Sequence, residues 1–273
     1  MDYYQYQIHC SEELNEILIA FLSQFPFDTF QEQDSGFEAY IPAPSDAAAI
    51  VEAINEWQKQ FDFRYTKSFI KAQNWNAVWE SNFQPIIVGN FCGIRADFHE
   101  PIKDVKHELI IQPKMAFGTG HHATTFQVIQ LMEHLVLDGK QVFDYGCGTG
   151  ILAILASKLG AASIDAIDID EWSKENTEEN ATLNQVKNIN VWRGDLATLQ
   201  EKSYDCILAN ITFNVISSSL TSLYSKLHIG GYLITSGFFP EDAERLKMQA
   251  KTLGLRVVQE SERENWACVC FQK

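Results

Sequence analysis

Val142-Phe143-Asp144-Tyr145-Gly146-Cys147-Gly148-Thr149-Gly150 leads directly into the apolar run 151–159. An apolar strand enters a glycine turn, and the turn opens a helix. In that arrangement a backbone without side chains comes close to a ligand. A second apolar segment, 163–168, reads as a buried strand that ends in the acidic pair Asp168 and Asp170. Asp168 stands 22 residues beyond Gly146, where a nucleotide-type fold places a carboxylate on ribose hydroxyls. Together these features predict a site for an adenosine-containing cofactor.

The spacing of the glycines selects among such cofactors. A dinucleotide fingerprint, G-x-G-x-x-G, would need its third glycine at the position of Ile151. The turn holds no Lys or Arg for a phosphate, and no G-K-[ST] marks a P-loop. Asp144 would repel a pyrophosphate, whereas a free amino group and a sulfonium suit it. D-x-G-x-G-x-G resembles the first motif of class I S-adenosylmethionine-dependent methyltransferases, and the resemblance implies S-adenosyl-L-methionine as cofactor.

From His107 onward, strand and helix patterns alternate. Strands are expected at 108–112, 141–145, 163–168, 188–193, 204–210 and 232–236, and helices at 122–136, 151–159, 171–184, 214–227 and 241–253. A closing strand pair, 256–260 and 266–271, places one antiparallel strand at the end. The pattern predicts an α/β fold with helices on both faces of a mostly parallel sheet. It resembles the seven-stranded, Rossmann-like class I methyltransferase sheet, whose ligands lie at the carboxyl ends of the strands near the switch point.

Four features share those carboxyl ends. The first strand supplies Asp144, Gly146 and Gly148. The glycines are expected to let backbone amides reach the methionine part of the cofactor. Asp144 either orients the turn or holds the ligand ammonium through water. Asp168 is expected to accept both ribose hydroxyls. Asp195 either accepts from the adenine amino group or caps the next turn. Asn210 ends an apolar strand, where a polar side chain needs a reason. It is the candidate catalytic residue, holding the acceptor amine, or else the cap of the following helix. Upstream, the loop Met115-Ala116-Phe117-Gly118-Thr119-Gly120-His121-His122-Ala123-Thr124-Thr125 precedes a helix whose amino end favours a carboxylate. Thr125 is placed to donate to the methionine carboxylate, and Phe117, Gly118, Thr119 and Gly120 to fold around the cofactor. The adjacent His121 and His122 lack nearby acidic or Cys partners, so no metal is expected.

The first 70 residues read as βαββαβ, a small α+β ferredoxin-like unit. Strands are expected near 3–10, 27–33, 37–42 and 61–69, with helices after the candidate caps Ser11 and Ser45. Residues 71–106 read as a linker. Trp75, Trp79 and Phe83 share a helix face there, a pattern of core packing more than of ligand contact. Short strands are expected at 85–89 and 91–98.

Among 273 residues, 46% are hydrophobic, enough for a large core, and the formal charge is −15. That balance disfavours direct nucleic-acid binding and suits a basic protein partner or a cationic cofactor. Six cysteines in a chain this long are no disulfide framework. No segment approaches 18 uninterrupted apolar residues, so a soluble cytoplasmic protein and no membrane partner are expected.

A-F-G-T-G-x-H-x-T-T, D-x-G-C-G-T-G-I-L-A-I, D-I-D and A-N-I together resemble the ribosomal protein L11 methyltransferase family (PrmA) over about residues 108–240. The order of small domain, linker and methyltransferase domain is similar as well. The chain departs from the family at His121-His122-Ala123, where Thr-His-Pro is common. The resemblance implies methylation of amino groups, lysine side chains or the N-terminal amine, on a basic large-subunit ribosomal protein. It implies substrate recognition by 1–70, a methyltransferase domain at 107–273, and cofactor contacts at Thr125, Gly146, Asp168 and Asn210. The alternatives are a class I methyltransferase of another protein or small molecule, a nicotinamide-dependent oxidoreductase, and a non-catalytic binding protein. Asn210-Ile211-Thr212-Phe213 in place of Asn-Pro-Pro-Tyr disfavours adenine and glutamine methylation.

Overall fold

A computed structural model describes residues 2–33, 35–71, 84–112, 118–199 and 202–273. The chain divides into two compact units, Met1–Trp79 and Glu80–Lys273. The aromatic stripe Trp75, Trp79 and Phe83 falls outside the described residues.

The first unit is β1 (Tyr3–His9), α1 (Glu12–Leu22), β2 (Thr29–Gln33), β3 (Gly36–Pro42), α2 (Ala48–Trp57) and β4 (Arg64–Ile70). Its antiparallel sheet has the order β2-β3-β1-β4, the ferredoxin-like arrangement. Alternate residues such as Tyr6, Ile8, Phe37, Ala39 and Ile41 turn to one face, where Leu18, Leu22, Ile50 and Ile54 meet them. The period of two in the strands and the helical stripe in α1 and α2 thus close one core. Ser45 does not cap α2. Ala43–Ser45 forms a 3-10 turn instead, and Ala47 precedes the helix. Ser11 precedes α1 without a side-chain capping bond.

The second unit begins earlier than the expected linker allows. β5 (Ile86–Val88), β6 (Cys92–Arg95) and β7 (His107–Ile110) form a separate three-stranded sheet. β5 and β6 pair antiparallel, and β6 and β7 pair parallel. Val88, Phe91, Cys92, Ile94 and Leu109 share a core with the helices that follow. The crossover between β6 and β7 is held from inside. The nearly buried Arg95 grips Glu108 at 2.9 Å and 3.2 Å, and Glu108 also accepts from Ile102 N–H at 2.6 Å. Arginine makes that planar double contact, and the paired carboxyl is held below the usual range.

Then follow α3 (Ala123–Met132), β8 (Gln141–Tyr145), α4 (Ile151–Lys158), β9 (Ser163–Asp168), α5 (Glu171–Leu183), β10 (Ile189–Arg193), β11 (Tyr204–Asn210), α6 (Phe213–Lys226), β12 (Leu227–Phe238), α7 (Pro240–Thr252), β13 (Arg256–Arg263) and β14 (Trp266–Gln272). α3 is shorter than the expected 122–136. Its end tightens into i→i+3 bonds, His134 to Leu131 and Leu135 to Met132. The sheet order is β10-β9-β8-β11-β12-β14-β13. β14 is antiparallel to both its neighbours, β12 and β13, as the closing hairpin required. The chain winds outward from β8 to β10 and returns to β11 on the other side of β8, so the order reverses there. Val142, Ile164 and Cys206 face α3 and α4, whereas Phe143, Ile167 and Ile207 face α6 and α7. No described helix is long and apolar enough to cross a membrane.

Candidate functional site

The turn after β8 takes its shape from three left-handed glycines, Gly146 (φ 76°), Gly148 (φ 55°) and Gly150 (φ 76°). A Cβ on Gly146 would lie 2.1 Å from Cγ2 of Ile211, and one on Gly150 2.6 Å from Cγ2 of Thr177. Glycine therefore supplies room here as well as dihedral freedom. Three amides of the turn are engaged within the fold. The N–H groups of Gly146 and Cys147 both donate to Ile167 O, at 2.9 Å and 3.0 Å, and Gly148 N–H donates to Asp168 Oδ2 at 3.0 Å. A turn this tight satisfies its donors on the neighbouring strand.

Asp144 is buried and accepts from Ala153 N–H in the first turn of α4 at 3.1 Å. Burial pushes its carboxyl up to about 7; the Ala153 bond opposes this and the nearby Asp168 charge adds to it. Asp168 also accepts from Asp170 N–H through Oδ1, at 3.1 Å. Each carboxylate oxygen retains further acceptor capacity. Asp195 caps the turn that follows, accepting from Ala197 N–H through Oδ1 at 2.9 Å.

On the other side of the turn, Thr149 Oγ1 donates to Gly118 O at 2.6 Å. A Cβ on Gly120 would come 2.7 Å from Cδ1 of Ile94, so this loop packs closely on β6. Phe117 falls outside the described residues. Thr119 Oγ1 lies 3.3 Å from His121 Nδ1. His122 is the N-cap residue of α3, with Nδ1 2.9 Å from Thr124 Oγ1. Among the described residues no three His, Cys, Asp or Glu side chains group for a metal.

Thr125 is buried in the first turn of α3, and Asn210 Nδ2 donates to its hydroxyl at 3.1 Å. Asn210 does not cap α6, whose N-cap residue is Thr212. Its Oδ1 is buried and has no hydrogen-bond partner. An acceptor so placed costs free energy until a donor arrives. Asp144, Gly146, Gly148, Asp168, Thr125 and Asn210 thus lie along the carboxyl ends of β8, β9 and β11 and the start of α3.

Sequence reasoning missed a polar seam on α5. Asn180 donates to Thr149 O at 2.8 Å and accepts from Gln112 N–H at 2.8 Å. Thr177 donates to Gly148 O at 3.0 Å. Asn184 bonds both backbone groups of Ile110, at 3.0 Å and 2.6 Å. The signal was present as Thr177, Asn180 and Asn184 at helical spacing in an otherwise charged helix.

The cysteines play no such part. Cys147 is buried in the turn, and burial pushes its thiol far up. All six are free.

The donor set suits S-adenosylmethionine. Asp168 has acceptor capacity for hydroxyls, Asn210 Oδ1 lacks a donor that an amine carries, and the turn has no cation for a phosphate. A 3-2-1-4-5-7-6 sheet with this glycine turn at its switch point defines a class I S-adenosylmethionine-dependent methyltransferase.

Comparison with known proteins sharpens the class. The family profile described as ribosomal protein L11 methyltransferase (PrmA) matches residues 3–273. The ribosomal protein L11 methyltransferase of Porphyromonas gingivalis is 42% identical over 267 residues, 95% of this chain and 91% of that protein. Its counterpart from Chlorobaculum tepidum is 37% identical over 265 residues, 93% of this chain and 91% of that one. The crystal structure of the ribosomal protein L11 methylase of Lactobacillus delbrueckii subsp. bulgaricus aligns with a TM-score of 0.65 at 26% identity, covering 70% of this chain and 99% of that chain. The chain belongs to the ribosomal protein L11 methyltransferase (PrmA) family.

Proposed function

We propose that this protein transfers methyl groups to amino groups of ribosomal protein L11, on lysine side chains or the N-terminal amine, with S-adenosylmethionine as donor. The observation that carries the reading is the buried, donorless Oδ1 of Asn210 beside the glycine turn. An amine N–H is the donor it lacks. When bound, S-adenosylmethionine supplies an electrophilic methyl on a sulfonium. Gly146 lets the turn seat tightly against Ile211, Asp168 would accept from the ribose, and Asp144 would set negative charge behind the turn. Thr125 fixes the Asn210 amide, so that Oδ1 would orient the acceptor nitrogen.

Lysine has an unperturbed pKa of roughly 10.4, so it must lose a proton before attack. Desolvation at the rim favours that loss. The neutral nitrogen would take the methyl, leaving the donor as a thioether, and the extra proton on the methylated amine would pass to water. Catalysis comes mainly from proximity and orientation, because the Asn210 amide orients without serving as a base. The first unit recognises the protein substrate, and the formal charge of −15 favours a basic one. A cytoplasmic location is consistent with an enzyme that modifies a ribosomal protein.

The test is methyl transfer from labelled S-adenosylmethionine to ribosomal proteins of a strain lacking this enzyme, read by intact mass. Gains of methyl units on L11 are the expected result. Gains only on another protein would remove L11 as the substrate. In a companion variant, Asn210→Ala lowers kcat more than cofactor affinity; equal loss of both would make Asn210 a cofactor contact alone.

A further inference from the structure

Three aromatic rings meet at the end of β12 and the start of β14. β14 runs antiparallel to β12, so its amino end lies beside the carboxyl end of β12, with Ala267 opposite Phe238. Trp266 opens β14, and Phe239 follows β12. Their rings stack with centroids 4.7 Å apart at 29°. His122 meets Trp266 edge-on, also at 4.7 Å. Phe239 is nevertheless 44% exposed, so core packing does not account for the stack.

The stack is held firmly. The buried Gln127 on α3 donates to Trp266 O at 3.0 Å and accepts from Ser261 Oγ at 2.8 Å. The hairpin before Trp266 turns through left-handed Glu264 (φ 52°) and Asn265 (φ 63°), a turn that fixes strand register. Arg263 lies 3.8 Å over the Phe126 ring and pins the hairpin to α3. The stack lies at the same end of the sheet as Asn210. In the β11–β12 register Asn210 faces Ser236, three residues before Phe239. Thr125 follows Thr124, whose hydroxyl meets the His122 ring.

We propose that Phe239 and Trp266, flanked by His122, form the wall along which the acceptor's alkylamine arm lies on its way to Asn210. This rests on the amine-methylation reading. An aromatic face attracts both the methylenes of a lysine arm and its ammonium. It offers the nitrogen no strong donor, so the lone pair of the neutral amine stays available. Trp266 and Phe239 are thereby specificity-determining residues for an alkylamine acceptor.

The test compares full-length wild type with Trp266→Ala, Phe239→Ala and Trp266→Phe. Initial rates are measured on L11 at saturating S-adenosylmethionine, and cofactor Kd by calorimetry. Each alanine variant is expected to raise the KM for L11 roughly tenfold, the scale of a lost cation–π contact, with cofactor Kd unchanged. Trp266→Phe should restore most of the loss. An unchanged KM in both alanine variants overturns the inference. So does a cofactor Kd that weakens in step with KM, which would make the stack a structural prop. Failure of the wild-type chain itself to methylate L11 would overturn the functional reading beneath it, an outcome visible before any variant is compared.

Discussion

In the turn between β8 and α4, the N–H groups of Gly146, Cys147 and Gly148 are bonded to Ile167 and Asp168. Along the other half of the same rim, Asn210 keeps a buried carbonyl oxygen without a donor, and Phe239 is 44% exposed. One half is complete within the fold, and the other is completed only by what binds. The difference fits their tasks. A cofactor that is always the same can be met by a rigid backbone shape, whereas acceptor arms arriving on a protein need an open wall and one orienting group.

The strongest way to break this comparison is Gly146→Ala. The variant meets left-handed strain of about 1–3 kcal/mol and the 2.1 Å approach to Ile211. Cofactor affinity should fall by roughly a hundredfold. Adding Ile211→Ala should recover only part, because the strain remains; full recovery by calorimetry would show that space alone mattered. Asp168→Ala comes next. It removes the acceptor of Gly148 N–H and the proposed ribose contact, an expected loss of about 1.5–3 kcal/mol in cofactor binding. An unchanged Kd would sink the ribose assignment.

Asn180→Ala tests the α5 seam. It leaves Thr149 O and Gln112 N–H without their partner, so thermal unfolding should show a loss of about 1–3 kcal/mol. Unchanged melting would mean that the seam does not hold the turn.

A further effect is in pH. The Asp144 carboxyl is raised to about 7 by burial, so its ionised fraction, and with it cofactor affinity, should rise as pH passes upward through about 7. Stability without cofactor has the opposite sign. The folded state holds a proton that the unfolded state releases near 3.8, so this contribution is present below that pH and is lost as pH rises through about 7. Asp144→Asn should flatten both trends; persistence of either would place the titrating group elsewhere.

Legibility in the sequence followed how local each feature is. Gly146, Gly148 and Gly150 lie within five residues, and their spacing alone marked the turn. Strands β8 to β12 were readable from apolar runs, and the antiparallel end from the short loop before Trp266. β5 and β6 have only three and four residues. Their place in a three-stranded sheet depends on pairing with β7 across the Arg95–Glu108 crossover, so the segment read as a linker. Ser45 was a plausible cap by type, but the 3-10 turn moved the helix start to Ala48. Asp195 had two readings from its loop position, and its bond to Ala197 became visible only in the fold.

The sequence by itself determined the doubly wound sheet, the glycine turn, the acidic end of β9 and the class of cofactor, because each is written in residues within a turn or a strand of one another. Only the tertiary structure decided that Asn180 joins Thr149 to Gln112, that Asn210 rests on Thr125 and keeps one oxygen unsatisfied, and that Trp266 meets Phe239 and His122. Those partners are 27 to 144 residues apart in the chain. No periodicity records such distances; they arise when the order of the sheet brings the ends of separate strands to one rim.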